Sequence, residues 1–394
     1  MVRRTLVGLL ACCAWVGLAS AVAAQEAAER PFTWTPSIQI RGLVSDNIKL
    51  TKHNRDGDSG AFASPRLEAA YRTDAYELDF DGSVDVRRYT KDSKVDETFY
   101  RVHTGAEVGI LPGLSVLLKN DYTPHVRDLG LPDDDPANMI QTNRAELEMR
   151  YWRELEGARE LAVGVIGGRF DTERFSALVP GPGGVPVQDP GFRADFWETG
   201  GYAEFQNPFG ENHAGYVWAG VKHRSFDEES DGDHLDASAL LGFRTHIEPG
   251  LEFDIAGGWG YLDFSSGDDK SRALVRADLK LRRPNGWRFN LGFHNELTVD
   301  ITGKDFMDTT GRLSIEKYLG TRTAVRVTGF LSRLENHATS PKDNLFGGVE
   351  VKVRRQLARK LTASLSYRYW RNAGAYRSDD MRQNRAMLSL TYRH

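Results

Sequence analysis

The chain has 394 residues, with 51 Lys and Arg against 55 Asp and Glu, for a net charge of -4. Such a balance offers no bulk attraction to a polyanion, so no nucleic-acid partner is expected. Mean hydropathy is -0.48, and beyond the N-terminus no apolar run is long enough for a helical membrane span, which does not exclude a membrane barrel, whose strands are apolar on one side only.

The N-terminus reads as an export signal. Arg3 and Arg4 form a charged start, Leu6 to Val22 is a short apolar run, and Ala21-Val22-Ala23 or Val22-Ala23-Ala24 offers a small-residue cleavage site. Residues 1–24 are therefore expected to be removed, and the run is short for a membrane anchor. Cys12 and Cys13 are the only cysteines and lie inside this segment. Leu9-Leu10-Ala11-Cys12 faintly resembles a lipobox, but too little apolar sequence precedes the cysteine. The mature chain then has no thiol, disulfide or cysteine metal site, as suits a bacterial envelope protein. Residues 25–35 are expected to be a short periplasmic segment and 36–394 the folded body.

From Trp34 onward one unit repeats: a stretch of alternation, then a break. In Tyr76 to Val86, Tyr76, Leu78, Phe80, Gly82, Val84 and Val86 form one face, and Glu77, Asp79, Asp81, Ser83 and Asp85 the other. Period two means a strand with one apolar and one polar side. The same reading predicts strands near 36–45, 61–73, 75–90, 97–110, 114–123, 139–151, 160–172, 194–206, 214–226 and 234–247. It continues near 251–264, 271–283, 287–301, 306–318, 322–335, 344–356, 360–372 and 383–393. The total is about 18, an even number of the kind found in bacterial single-chain barrels. In the last stretch Ala386, Leu388, Leu390 and Tyr392 share one parity, and Arg385, Ser389, Thr391 and Arg393, with Met387, the other. Pairing it with the first strand leaves no free edge. The fold expected is all-β: a transmembrane, antiparallel, up-and-down β-barrel in a bacterial outer membrane.

Connections alternate in length. Residues 73–75, 111–113, 248–250 and 284–286 carry tight-turn chemistry. Longer segments lie at 46–60, 91–96, 124–138, 173–193, 227–233, 265–270, 336–343 and 373–382. Outer-membrane barrels have short periplasmic turns and longer outer loops, which puts both chain ends on the periplasmic side.

Parity separates the faces. Trp287, Phe289, Leu291, Phe293, Leu297, Val299 and Ile301 face lipid in this scheme, as do Leu251, Phe253, Ile255, Trp259 and Tyr261. Tyr76, Tyr122, Tyr151, Trp287, Tyr369 and Tyr392 suit interfacial girdles. Inward fall Glu77, Asp79, Asp81, Asp85, Glu146, Glu148, Glu252 and Asp254, and also Arg272, Arg276, Lys280, Arg282, Arg288, Arg326, Lys352, Arg354, Arg368 and Arg385. Such charges must be wet or paired. They line a charged, water-filled pore with an acidic and a basic wall, or they form ion-pair ladders that only hold the wall's shape. Parity over 214–226 is ambiguous.

The stretch Thr172 to Phe192 is long and rich in Pro and Gly. Ser176, Leu178, Pro180, Gly183 and Pro186 are candidates for a loop folded inward as a constriction; a plain surface loop is the alternative. Asp133-Asp134-Asp135 and Asp227-Glu228-Glu229 are acidic runs that either hold divalent cations against surface lipopolysaccharide or are simply solvated. No hydrolase, zinc-protease or nucleotide-binding motif occurs, and His103, His223 and His294 are scattered. No enzymatic activity, metal or cofactor is expected. Outer-membrane lipid and lipopolysaccharide are the expected surroundings of the apolar face.

Several stretches carry a family resemblance. Leu388-Ser389-Leu390-Thr391-Tyr392-Arg393-His394 resembles the closing strand that the barrel-assembly machinery reads, although such barrels usually end in Phe. Leu365-Ser366-Tyr367-Arg368-Tyr369-Trp370-Arg371, the loop to Asn384-Arg385, Ser45-Asp46-Asn47-Ile48-Lys49-Leu50 and Ser64-Pro65-Arg66-Leu67 are similar to outer-membrane β-barrel porins associated with exopolysaccharide export. The resemblance implies passage of a secreted polysaccharide, with the assembly machinery and periplasmic polysaccharide-export components as partners. The alternatives are a passive diffusion porin for small hydrophilic solutes and a plugged structural or adhesive barrel.

Overall fold

The computed structural model describes residues 32–47, 57–73, 75–91, 97–126, 139–156, 158–173, 178–180, 186–188, 195–227, 233–247, 250–265, 269–299, 305–336, 343–373 and 381–394. The expected signal peptide lies outside them. The first half comprises β1 (Thr33–Ser45), β2 (Asp58–Arg72), β3 (Tyr76–Tyr89), β4 (Glu97–Leu111), β5 (Leu114–Val126), β6 (Met139–Leu155), β7 (Arg159–Glu173), β8 (Leu178–Pro180), β9 (Pro186–Gln188) and β10 (Phe196–Pro208). The second comprises β11 (His213–Phe226), β12 (His234–Ile247), β13 (Leu251–Phe264), β14 (Lys270–Arg282), β15 (Trp287–Val299), β16 (Asp305–Leu319), β17 (Thr323–Asn336), β18 (Asp343–Ala358), β19 (Leu361–Asn372) and β20 (Met381–Arg393).

All but β8 and β9 join one 18-stranded sheet. Each strand pairs antiparallel with the next, β7 with β10, and β20 with β1 from Ser37↔Arg393 to Ser45↔Arg385. The sheet is therefore a closed up-and-down barrel, as the alternation predicts. The first strand begins at Thr33 rather than Pro36, and β6 and β18 run on to Leu155 and Ala358. The strand pair β8–β9, which period two does not suggest, is a short hairpin whose ends are Pro180 and Pro186. Connections at one end are short throughout, including those after Leu155, Pro208, Leu319 and Ala358, and those at the other end are longer. The tight turns use the expected chemistry: Gly286 has φ 84°, which a side chain resists.

Local irregularities are answered locally. Pro124 lacks the N–H that would serve the carbonyl of Tyr100 on β4. The Gln141 side chain reaches over it from β6, and its Nε2 donates to that carbonyl at 2.8 Å. At the closing seam Asn47 Nδ2 donates to the carbonyl of Arg382 at 2.9 Å, and Gln383 Nε2 to that of Asn47 at 2.9 Å. Asp46 accepts from both the backbone and the side-chain nitrogen of Asn384 at 2.7 Å. Free strand edges at β1 and β20 are thus paired and clasped.

The two faces differ in kind. On the outer one, Ile40, Val165, Leu241, Trp259, Leu291, Leu331 and Leu388 are exposed large apolar side chains. They form the belt that a bilayer solvates, each CH₂ group gaining about 0.8 kcal/mol on leaving water. Tyr122, Tyr151, Trp287, Tyr369 and Tyr392 carry the same outward parity. The inner face is itself zoned. Toward the long-loop end it is covered, with apolar and polar side chains mixed: Leu262 is 0%, Phe99 1%, Trp370 2% and Phe62 3% exposed, beside buried Asp85, Arg87, Gln141 and Gln383. Toward the short-turn end it is charged and wetter.

Candidate functional site in the barrel lumen

Register fixes which side chains meet on the inner face, because residues directly opposite in an antiparallel pair share a side. By this test Glu77, Asp79, Asp81, Asp85, Glu146, Glu148, Glu252, Asp254, Arg272, Arg276, Lys280, Arg282, Arg288, Arg326, Lys352, Arg354, Arg368 and Arg385 all lie on the polar, lumen-facing side. Of the loop candidates, Ser176 and Gly183 lie outside the described residues. Leu178, Pro180 and Pro186 are backbone positions of the β8–β9 hairpin. Asp133 to Asp135 also lie outside them, whereas Asp227 is an outer-surface partner of Arg169, whose guanidinium stacks 5.2 Å from Trp197.

The wall from β2 to β13 carries an excess of acids, and arginines engage most of them. Arg66 forks onto Asp81, and Arg72 meets Glu77 at 2.6 Å and Asp79 at 3.7 Å. Asp85, only 7% exposed, holds Arg41 and, at 2.9 Å, Arg87. Ser64 Oγ donates to the same carboxylate at 2.8 Å. Arg87 in turn lies 4.7 Å from the ring centroid of Phe99. Glu198 accepts from Arg144 and Arg224, each at 3.0 Å. Lys119 bridges Glu146 at 3.7 Å and Glu148 at 3.5 Å.

Two tyrosines tie this wall together. Tyr216 on β11 lies directly opposite Gly242 on β12. Its ring covers the glycine, where a Cβ would collide with it, and its hydroxyl donates to Asp254 on β13 at 2.7 Å. Tyr202 on β10 covers Gly164 on β7 in the same way and donates to Glu148 on β6 at 2.7 Å. Asp254 also accepts from Arg244 at 2.9 Å. The structure settles the parity of β11: Tyr216, Trp218, Lys222 and Arg224 face inward and His223 outward.

The wall from β14 to β20 is different. Three cation pairs stand directly opposite one another across neighbouring strands: Arg282↔Arg288, Arg326↔Lys352 and Arg368↔Arg385. One acid serves much of this wall. Glu316, with 6% side-chain exposure, takes Arg326 at 3.0 Å, Arg288 at 3.8 Å and Arg354 at 4.0 Å. The three guanidiniums are each about half exposed. Arg312 on β16 adds a further cation by the same parity. Elsewhere on this wall Arg276 meets Asp278 at 3.0 Å, Glu350 stands opposite Arg368, and at the boundary with β13 Glu252 meets Lys280 at 3.4 Å and Arg282 at 3.6 Å. Glu316 and Asp308 escaped the sequence reading although their strand was recognised; their alternation with Thr310, Arg312 and Ser314 is the signal that finds them.

An apolar recess of about 470 Å³ lies between Phe253, Leu279, Leu291, Phe293, Leu313 and Leu331. Those side chains have outward parity, so it faces lipid and is no solute site.

No protein-family model matches the chain, and no curated protein matches it. Solved structures do. The outer membrane protein OpdK of Pseudomonas aeruginosa is 12% identical, with a TM-score of 0.51 over 92% of this chain and 99% of that one. OccK2 (OpdF) of the same organism, solved in complex with glucuronate, is 11% identical, with a TM-score of 0.53 over 92% and 96%. OccAB4 of Acinetobacter baumannii is 10% identical, with a TM-score of 0.51 over 94% and 100%. The chain has the fold of an outer-membrane β-barrel porin, and its lipid-facing belt fits that membrane.

Proposed function

We propose that the chain is an outer-membrane diffusion channel for small hydrophilic solutes that favours anions. The observation that carries this is the set of directly opposed cation pairs on the inner face of β14–β20. Like charges placed opposite one another cost a sheet stability, and a wall that needed only to hold its shape would alternate signs. Arg282↔Arg288 and Arg326↔Lys352 instead offer paired donors to a passing carboxylate or phosphate, which guanidinium groups bind well. The glucuronate of the OccK2 complex is itself an anion.

The conduit for a secreted polysaccharide, which the resemblance of the terminal strands implies, is supported less well. The ligand in the OccK2 complex is a single sugar acid, glucuronate, which fits a small-solute channel better than a polymer conduit.

Uptake by proteoliposomes tests the proposal. A small monocarboxylate is expected to enter several times faster than a neutral sugar of similar size. Equal rates, or entry of long glycan chains with no small-solute flux, would overturn it.

A further inference from the structure

We propose that His294, Glu296 and Asp308 form a binding site for a first-row divalent metal ion, zinc above all, on the inner wall of the barrel. His294 and Glu296 are alternate residues of β15 and so share a face, and Asp308 on β16 lies directly opposite Glu296. His294 Nε2 is 3.5 Å from Asp308 Oδ2 and 4.0 Å from Glu296 Oε1. One ligand atom from each of the three side chains lies within 4.8 Å of the other two. Metal–ligand bonds of about 2.1 Å would draw the donors closer. The Glu296 side chain is 58% exposed and free to supply that contraction by rotating.

Two further observations separate this cluster from an ordinary lumen ion pair. Glu296 and Asp308 are like charges placed directly opposite, which is unfavourable with nothing between them. Asp85, Glu198 and Glu316 each hold two or more guanidiniums. Among the described residues the group in ion-pair reach of Glu296 and Asp308 is His294 alone. Arg276 stands opposite His294 in register, but its Nε is turned to Asp278 at 3.0 Å. The other oxygen of Asp308 is also pinned: Thr310 Oγ1 donates to it at 2.7 Å and Ser332 Oγ at 3.0 Å. Hydroxyls that aim a carboxylate in this way are the outer support that metal sites commonly carry.

The donor set names the class of ion. One imidazole and two carboxylates suit zinc, manganese or ferrous iron, whereas magnesium and calcium prefer all-oxygen shells. Three protein ligands leave at least one position for water or for a solute carboxylate. The sequence, with no cysteine beyond Cys13 and no metal motif, does not reveal this site, because only two of the ligands are close in the chain and the third comes from the neighbouring strand. If the anion preference proposed above holds, a bound ion also cancels an acidic patch on the cationic wall.

Isothermal titration of the refolded full barrel in detergent tests the site, with zinc chloride as probe and magnesium chloride as reference. About one zinc per chain is expected, at least about tenfold weaker in His294→Ala and Asp308→Asn, with no magnesium binding. His103→Ala, whose ring meets Asp121 away from this cluster, is expected to bind zinc like the parent. Should Asp308→Asn fail to fold, Glu296→Gln reads the same site from an exposed position. No zinc binding, or equal binding by His294→Ala and the parent, would overturn the proposal. Because the titration involves no solute flux, its failure leaves the anion preference untouched, and loss of the anion preference leaves the titration unchanged.

Discussion

The two walls of the lumen are built from the same kind of strand and face the same space, yet they treat charge in opposite ways. On β2–β13, with Arg41 of β1, arginines clasp individual acids: Asp85 lies between Arg41 and Arg87, Glu198 between Arg144 and Arg224, and Asp254 between Arg244 and Tyr216. On β14–β20 Glu316 is shared among Arg288, Arg326 and Arg354, and cations stand opposite cations. The difference teaches that charge inside a barrel serves two ends. Where carboxylates hold guanidiniums between them, the network holds the wall. Where donors are left in surplus, they are available to whatever passes.

The contrast breaks most visibly at Asp85. Asp85→Ala removes the buried carboxylate that Arg41 and Arg87 share, and is expected to destabilise the barrel by about 3–5 kcal/mol. Urea unfolding of the refolded protein measures this; a loss below about 1 kcal/mol would mean that the first wall is not held by its pairs. Gly242→Ala is expected to cost about 1–3 kcal/mol, because the new methyl group meets the Tyr216 ring and prises its hydroxyl from Asp254. Tyr216→Phe loses only the hydrogen bond, about 1 kcal/mol, and so separates packing from bonding. On the second wall, Glu316→Gln removes the shared acid and is expected to raise anion preference in bilayer recordings, while Arg326→Ala lowers it. If both variants shift selectivity the same way, the surplus of donors is not what selects. The smallest effect is expected at Lys280→Ala, at the boundary, where an exposed pair with Glu252 contributes about 0–1 kcal/mol.

Much of this was legible in the sequence, for a plain reason. Period two survives whatever the partner strand is, so the barrel strands and the inward parity of residues such as Arg282 and Arg326 could be read one strand at a time. What could not be read is what passes between strands. That Arg326 stands opposite Lys352, that Glu316 collects three arginines, and that Tyr216 crosses Gly242 to reach Asp254 are facts of register, which a strand's own pattern does not contain. Parity failed over β11 because both of its faces are apolar: Tyr216 and Trp218 inward, Val217, Ala219 and Val221 outward. The β8–β9 hairpin was missed because Pro180 and Pro186 argue against a strand. The resemblance to polysaccharide-export porins is carried by short, degenerate stretches toward both ends of the chain. In the structure, Asp46, Asn47 and Asn384 among them form the clasp that closes the barrel, a role independent of what the lumen carries.

The most direct test of the central claim is the reversal potential of the mature protein in a planar bilayer under a potassium chloride gradient, beside the Arg288→Ala, Arg326→Ala, Arg354→Ala triple variant. The parent is expected to show a steady conductance with the sign of chloride preference, and the triple variant to move toward zero or reverse. A parent that prefers potassium, or a triple variant with an unchanged reversal potential, would contradict the claim that the surplus cations of β14–β20 select the solute.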